Sequence, residues 1–196
     1  MSRNKNRDLL REDNVTYDDY AGFDDGNRYE LVDGRLDLMS PGPGSIHQLV
    51  SFEIQKRISR TCDNEAIILC APLDVILSEQ EVRQPDLVIL LRSNLHKLVP
   101  KGIEGPPDIV VEILSPSTAK RDKLFKMISY ARHGIPEYWI VNHSSCFLEQ
   151  YLLDRDTRAY SLANVFAQDD PVSSPTLSCL SFSMQDIMDS LPDVLK

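Results

Sequence analysis

Two acidic residues stand inside otherwise apolar runs, and their surroundings constrain what they can do. Asp86 follows Gln84-Pro85 and opens the run Leu87-Val88-Ile89-Leu90-Leu91, while Glu112 lies between Val111 and Ile113. Burying a carboxylate is costly unless it is paired, hydrogen-bonded or bound to a cation. A hydrated strand-end Asp86 and a Glu112 paired with one arginine would meet that requirement. So would one hard cation shared by both, since Mg2+ and Mn2+ take oxygen ligands. Two further residues belong with them. His47 opens an amphipathic segment and could hydrogen-bond a carboxylate or a phosphate, although a lone histidine at a helix start is more often a cap or packing residue. Lys126 lies four residues after Asp122 and four before Tyr130, a spacing that puts all three on one helical face.

The elements that must carry these residues follow from periodicity and turn chemistry. Residues 1–15 are polar and read as an N-terminal arm, which Asp18-Asp19-Tyr20 and then Asp24-Asp25-Gly26-Asn27 lead into a turn. Tyr29 to Met39 holds two short apolar runs around Asp33-Gly34, the dipeptide that suits the positive φ angles of a tight β-hairpin. Ser40 to Ser45 is a Pro/Gly loop. Ile46, Leu49, Val50, Ile54 and Ile58 recur at helical spacing and predict a helix from Ile46 to about Ser59. Three strand-like runs follow, 66–77, 82–91 and 109–114. Continuous apolar runs of this kind belong to strands covered on both faces, so helices are expected on each side of the sheet.

Ser115-Pro116-Ser117-Thr118 offers a hydroxyl cap for a helix from Thr118 to His133, with an apolar stripe of Leu124, Met127, Ile128 and Ala131. Gly134 and Pro136 end it. Glu137 to Val141 predicts another strand, 147–153 with 159–162 a closing hairpin, and Met184 to Met188 a short terminal helix. Residues 16–196 are expected to form a single α/β domain, for which 196 residues supply an adequate core.

The order of these pieces matches a known pattern. A Pro-Asp strand, a strand carrying Glu some twenty to thirty residues later and then a helix resembles the PD-(D/E)XK nuclease superfamily. The strings Tyr29-Glu30-Leu31-Val32-Asp33-Gly34, Ser45-Ile46-His47, Gln84-Pro85-Asp86-Leu87, Val111-Glu112-Ile113-Leu114 and Gly134-Ile135-Pro136-Glu137-Tyr138-Trp139, with Asp122, Lys126 and Tyr130, resemble the Uma2 family of restriction-endonuclease-like proteins. The likeness implies a restriction-endonuclease-like central mixed β-sheet flanked by helices, with an N-terminal β-hairpin. It also implies a Mg2+- or Mn2+-dependent endonuclease that hydrolyses phosphodiester bonds, with DNA as its substrate. Asp86 and Glu112 would hold the metal, with the main chain of Ile113 as a third ligand, and Glu30 would lie near the acidic cluster as a possible further one. The superfamily's lysine normally stands two residues after the acid, where this chain has Leu114; in the Uma2 pattern a lysine on the next helix replaces it, and Lys126 matches. Lys126 solvated or paired with Asp122 is the alternative.

Composition bounds the rest. Apolar residues make up 42% and charged residues 26%, the balance of an ordinary soluble protein. No stretch approaches the roughly 18 apolar residues of a membrane span, and the polar N-terminus lacks a signal peptide's apolar core, so a cytoplasmic protein is expected. Cys62, Cys70, Cys146 and Cys179 form no C-x-x-C pair and are expected to be reduced, structural thiols. The net charge of −9 opposes tight binding of DNA by an isolated monomer, and a homodimer built near Tyr138-Trp139 and the hairpin after it is expected to help supply a binding groove. The same acidity favours a rival reading, a noncatalytic binding or assembly module that retains the nuclease fold. A metal-dependent hydrolase of small nucleotides is a second rival.

Overall fold

The computed structural model describes residues 13–40, 42–114 and 125–195. It contains two six-stranded mixed sheets with helices packed against them. Chain order gives α1 (Tyr17–Ala21), the hairpin β1 (Tyr29–Val32) and β2 (Arg35–Leu38), α2 (Ser45–Cys62), β3 (Ala66–Cys70), β4 (Val75–Ser78), β5 (Glu81–Arg83) and β6 (Leu87–Leu91). Then come β7 (Leu98–Val99), β8 (Gly102–Glu104), β9 (Ile109–Ile113), α3 (Met127–Arg132), β10 (Glu137–Asn142), β11 (Phe147–Asp154), β12 (Ala159–Ala167) and α4 (Met184–Asp189).

The central sheet runs β12-β11-β10-β9-β6-β3, with β9 and β10 parallel and the other pairs antiparallel. One face carries Leu87, Ile89, Ile109, Val111, Trp139 and Val141 and packs on Val50, Ile54 and Ile58 of α2 and on Met184 and Ile187 of α4. On the other face Val110, Tyr138 and Ile140 meet Tyr130 of α3, and Val88 meets Val75 and Ile103 of the second sheet. The central strands are thus covered on both sides, which is why they read as unbroken apolar runs. The second sheet, β2-β1-β5-β4-β8-β7, includes the predicted hairpin, whose turn has Asp33 at φ 47° and Gly34 at φ 74°.

Several expectations are corrected. The runs 66–77 and 82–91 each divide into two strands in different sheets, because Pro72 and Pro85 have no N–H to give a ladder. Asp18-Asp19-Tyr20, expected in the arm, is part of α1, whose N-terminus Thr16 and Asp19 cap with a reciprocal capping box. Strands β7 and β8 were not foreseen. The helix expected from Thr118 is described only from residue 125, where residues 125 and 126 are π-helical and lead into α3, and Ser115, Ser117, Thr118 and Asp122 lie outside the described residues. Ile128 is exposed, and the buried face of α3 is formed by Ser129, Tyr130 and Ala131.

Tyr138 and Trp139 are fully buried in an interior strand flanked by β9 and β11, so they do not contribute to an apolar edge, whereas the hairpin after them ends in the edge strand β12, where Leu162 and Val165 are exposed. Cys62 and Cys179 are joined in a disulfide, Cα atoms 5.3 Å apart, so they are not free thiols; only Cys70 and Cys146 are. A pairing across 117 residues cannot be read from spacing, because it depends on the C-terminal segment folding back on the end of α2. No described helix is long and apolar enough to cross a membrane.

Candidate active site

Strands β6 and β9 pair antiparallel with Leu87 opposite Val111 and Val88 opposite Val110. One step further along that register sets Asp86 opposite Glu112. Directly opposed residues share a face, with Cβ atoms about 4.5–5.5 Å apart. Asp86 stands where Pro85 has ended one strand and β6 begins, at the open end of the ladder. Its Oδ2 accepts the amide of Ile113 at 2.8 Å and lies 3.0 Å from His47 Nε2 at the start of α2. The bonds described to Asp86 all go to Oδ2, which leaves Oδ1 for a ligand.

Glu112 is 2% exposed and faces the side of the sheet that α3 covers. Its Oε1 accepts from Lys126 Nζ at 2.7 Å and from the Tyr130 hydroxyl at 2.7 Å. The two donors are four residues apart, so one turn of helix aims both at one carboxylate oxygen. Lys126 Nζ is also 3.7 Å from Glu30 Oε1. Burial holds the Tyr130 phenol well above its ordinary pKa, and the charges of Glu112 and Glu30 push the same way, so this phenol stays protonated and donates.

Glu30, 1% exposed, faces inward from β1. Its Oε1 accepts the Gln84 amide at 2.9 Å and its Oε2 meets Arg83 at 3.3 Å. Arg83 binds Glu81 as well, at 2.7 Å, and Glu81 also accepts from Ser129 of α3. Burial opposes the charge on Arg83, but Glu30 and Glu81 outweigh it and raise its pKa. Arg132 reaches Asp33 at 2.6 Å and Glu81 at 3.5 Å, so five carboxylates (Glu30, Asp33, Glu81, Asp86 and Glu112) stand against three cations (Arg83, Lys126 and Arg132) and leave the cluster with a formal charge of −2.

The cluster opens into a cleft of about 700 Å3 lined by Glu30, His47, Gln84, Asp86, Glu112, Ile113 and Lys126, with Arg28 and the 42–44 loop at its rim. Among the described residues no group of three or more His, Cys, Asp or Glu side chains is arranged as a complete ligand set.

All six residues singled out from the sequence line this cleft. Lys126 reaches Glu112, as the spacing with Tyr130 allows; whether Asp122 contributes lies outside the described residues. Tyr130 itself, Arg83 and Gln84 were not foreseen as part of the cluster. Tyr130 had a signal in its i, i+4 relation to Lys126, but Arg83 had none, because its partners come from β1 and from its own strand.

The arrangement is that of a restriction-endonuclease-like nuclease fold. A crystal structure described as a putative nuclease belonging to DUF820, from Anabaena variabilis ATCC 29413, is similar with a TM-score of 0.72 at 19% identity, over 89% of this chain and 98% of that one. The model of the Uma2 family, described as a putative restriction endonuclease, matches residues 15–185, and the chain belongs to that family. No match was found among curated proteins.

Proposed function

We propose that the protein is a metal-dependent endonuclease acting on DNA, with Asp86, Glu112 and Lys126 as its catalytic residues. One observation carries the reading: Asp86 Oδ2 accepts the amide of Ile113, the neighbour of Glu112, at 2.8 Å, and the Lys126 ammonium lies 2.7 Å from Glu112 in the cleft that all of them line. A cluster of charge −2 fits a divalent cation, and its oxygen-only donors fit Mg2+ or Mn2+. Asp86 and Glu112 are the carboxylate ligands. Ile113 offers its carbonyl as a third, because in an extended strand a residue's C=O points to the same side as its N–H, and that N–H meets Asp86. The bound metal supplies Lewis-acid stabilisation of the phosphoryl oxygens and a lowered water pKa.

The chain's own groups do the rest. His47 and the Ile113 amide hold one oxygen of Asp86, so the other is presented in a fixed direction. Lys126 brings a point charge beside Glu112, where it can orient the attacking water and offset charge developing on a nonbridging oxygen, without competing as a ligand. Tyr130 fixes the same carboxylate oxygen from beneath. Glu30 anchors the amide of Gln84 and keeps a second negative charge near Lys126.

Cleavage of supercoiled and single-stranded DNA with Mg2+ or Mn2+, run beside Asp86→Ala, tests the proposal. The wild type should nick in a metal-dependent way and the variant should not. A metal-dependent rise in melting temperature should vanish with Asp86→Ala as well. Failure of the wild type to cleave with either metal, together with no thermal shift, would favour the noncatalytic module.

A further inference from the structure

The cleft is lined by one cation of a different kind from Lys126. Arg28, exposed just ahead of β1, makes no ion pair among the described residues; its side-chain partner is neutral, the Gln84 Oε1 at 2.5 Å. Gln84 is not free to turn away. Its amide nitrogen donates to Asp74 Oδ1 at 2.8 Å and to the Tyr20 hydroxyl at 3.1 Å, and Tyr20 itself donates to Asp74 at 2.9 Å. Its backbone amide is held by Glu30. With both ends committed, the Gln84 carbonyl oxygen is directed at Arg28 and holds the guanidinium in place while leaving its charge unneutralised and most of its five N–H donors open.

The location gives that charge a use. Gln84 precedes Asp86 by two residues, at most about 7 Å along an extended chain. It also lines two further hollows, one of about 760 Å3 bounded by Pro72, Asp74 and Lys101, and one of about 250 Å3 that Arg28 shares with Tyr20 and Phe23. Gln84 thus borders all three hollows, and Arg28 borders the cleft and the smallest of them. An exposed guanidinium held by a neutral amide keeps its positive charge and its planar fork of donors, an arrangement suited to an anion.

We propose that Arg28, held by Gln84, binds a phosphate adjacent to the scissile one, so that the substrate is a polynucleotide strand and not a mononucleotide. This rests on the nuclease reading above and deepens it. Arg28 is a positioning residue: it sets where along the strand the acidic pair acts.

The experiment measures binding of a short fluorescein-labelled single-stranded DNA, with Ca2+ in place of Mg2+, by anisotropy over a range of salt. Arg28→Ala should weaken binding about tenfold and reduce the slope of log K against log salt by about 0.7, the loss of one phosphate contact on a single strand. Arg28→Lys should restore the slope but only part of the affinity, because an ammonium loses the planar fork that Gln84 orients. A series of strands, each with one phosphate replaced by a neutral methylphosphonate, should show a single position at which wild type loses affinity and Arg28→Ala does not. Unchanged affinity and slope in Arg28→Ala, with the wild type binding normally, would overturn this inference and leave the nuclease reading intact. A wild type that binds no strand would overturn this inference as well, and cleavage of supercoiled DNA then decides the nuclease reading separately.

Discussion

Glu112 and Glu137 lie on neighbouring parallel strands, both buried, and they solve the problem of a buried carboxylate in opposite ways. Glu137 shares its face of β10 with Trp139 and Val141, on the side covered by α2 and α4. It accepts from Trp139 Nε1 and Gln150 Nε2, both at 2.6 Å, and from the Ser174 hydroxyl at 2.7 Å. All three donors are neutral. Glu112 faces the other side, where an ammonium and a phenol meet one of its oxygens and a second acid stands opposite. Burial of an acid is therefore no mark of a site. What separates the two is charge: neutral donors satisfy Glu137 fully in place, whereas Glu112 belongs to a cluster that is still negative and open to a cleft.

The sharpest way to break that contrast is to exchange the losses. Glu112→Gln should lower metal-dependent cleavage on the order of 10³-fold, as expected when a group that stabilises transition-state charge is lost, while the melting temperature holds or rises as repulsion among the acids falls. Glu137→Ala should do the reverse. Trp139 loses its acceptor, Gln150 keeps only the Ser173 carbonyl and the half-buried Ser174 loses its carboxylate partner, a destabilisation of about 3 kcal/mol by denaturant titration, with cleavage per folded molecule retained. Equal effects on both quantities in both variants would remove the distinction.

Reduction of the Cys62–Cys179 bond, or Cys179→Ser, sharpens it from the structural side. The bond ties α2 to the segment that carries Ser174 and, at Ser173, the carbonyl that accepts from Gln150. A stability loss of about 2–4 kcal/mol is expected, with specific cleavage at ambient temperature unchanged.

Lys126→Ala should reduce cleavage on the order of 10²-fold and leave the Mg2+-induced thermal shift nearly intact, because lysine is not a ligand. Lys126→Arg should rescue poorly, since a planar guanidinium cannot occupy the place of a compact ammonium. Full activity in Lys126→Ala would detach it from the chemistry.

The smallest effect belongs to Tyr130→Phe, about tenfold in rate at neutral pH. It carries a pH signature too. The folded pKa of Tyr130 lies above the unfolded value near 10, so the protonated phenol contributes fully below about pH 10 and that contribution is lost as pH rises toward the folded value. Stability measured above pH 10 should thus decline less steeply in Tyr130→Phe than in the wild type.

The hairpin was legible because Asp33-Gly34 supplies the two positive φ angles it requires, and α2 because its apolar residues repeat every three or four positions. Asp86 and Glu112 were legible because a carboxylate inside an apolar strand demands an explanation. Glu137 raised the same demand, beside Tyr-Trp-Ile-Val, and went unremarked, since nothing local distinguishes an acid met by neutral donors from one that holds a cation. The sequence by itself determined which residue types stand at strand ends and helix faces, because period and turn chemistry are local. Only the tertiary structure decided that β5 and β6 enter different sheets, that Arg83 joins Glu30 to Glu81, that Cys62 meets Cys179 and that Gln84 holds Arg28. Each of those contacts joins elements whose approach is set by how two sheets and their helices pack, and side-chain electrostatics acts through space, without regard to separation along the chain.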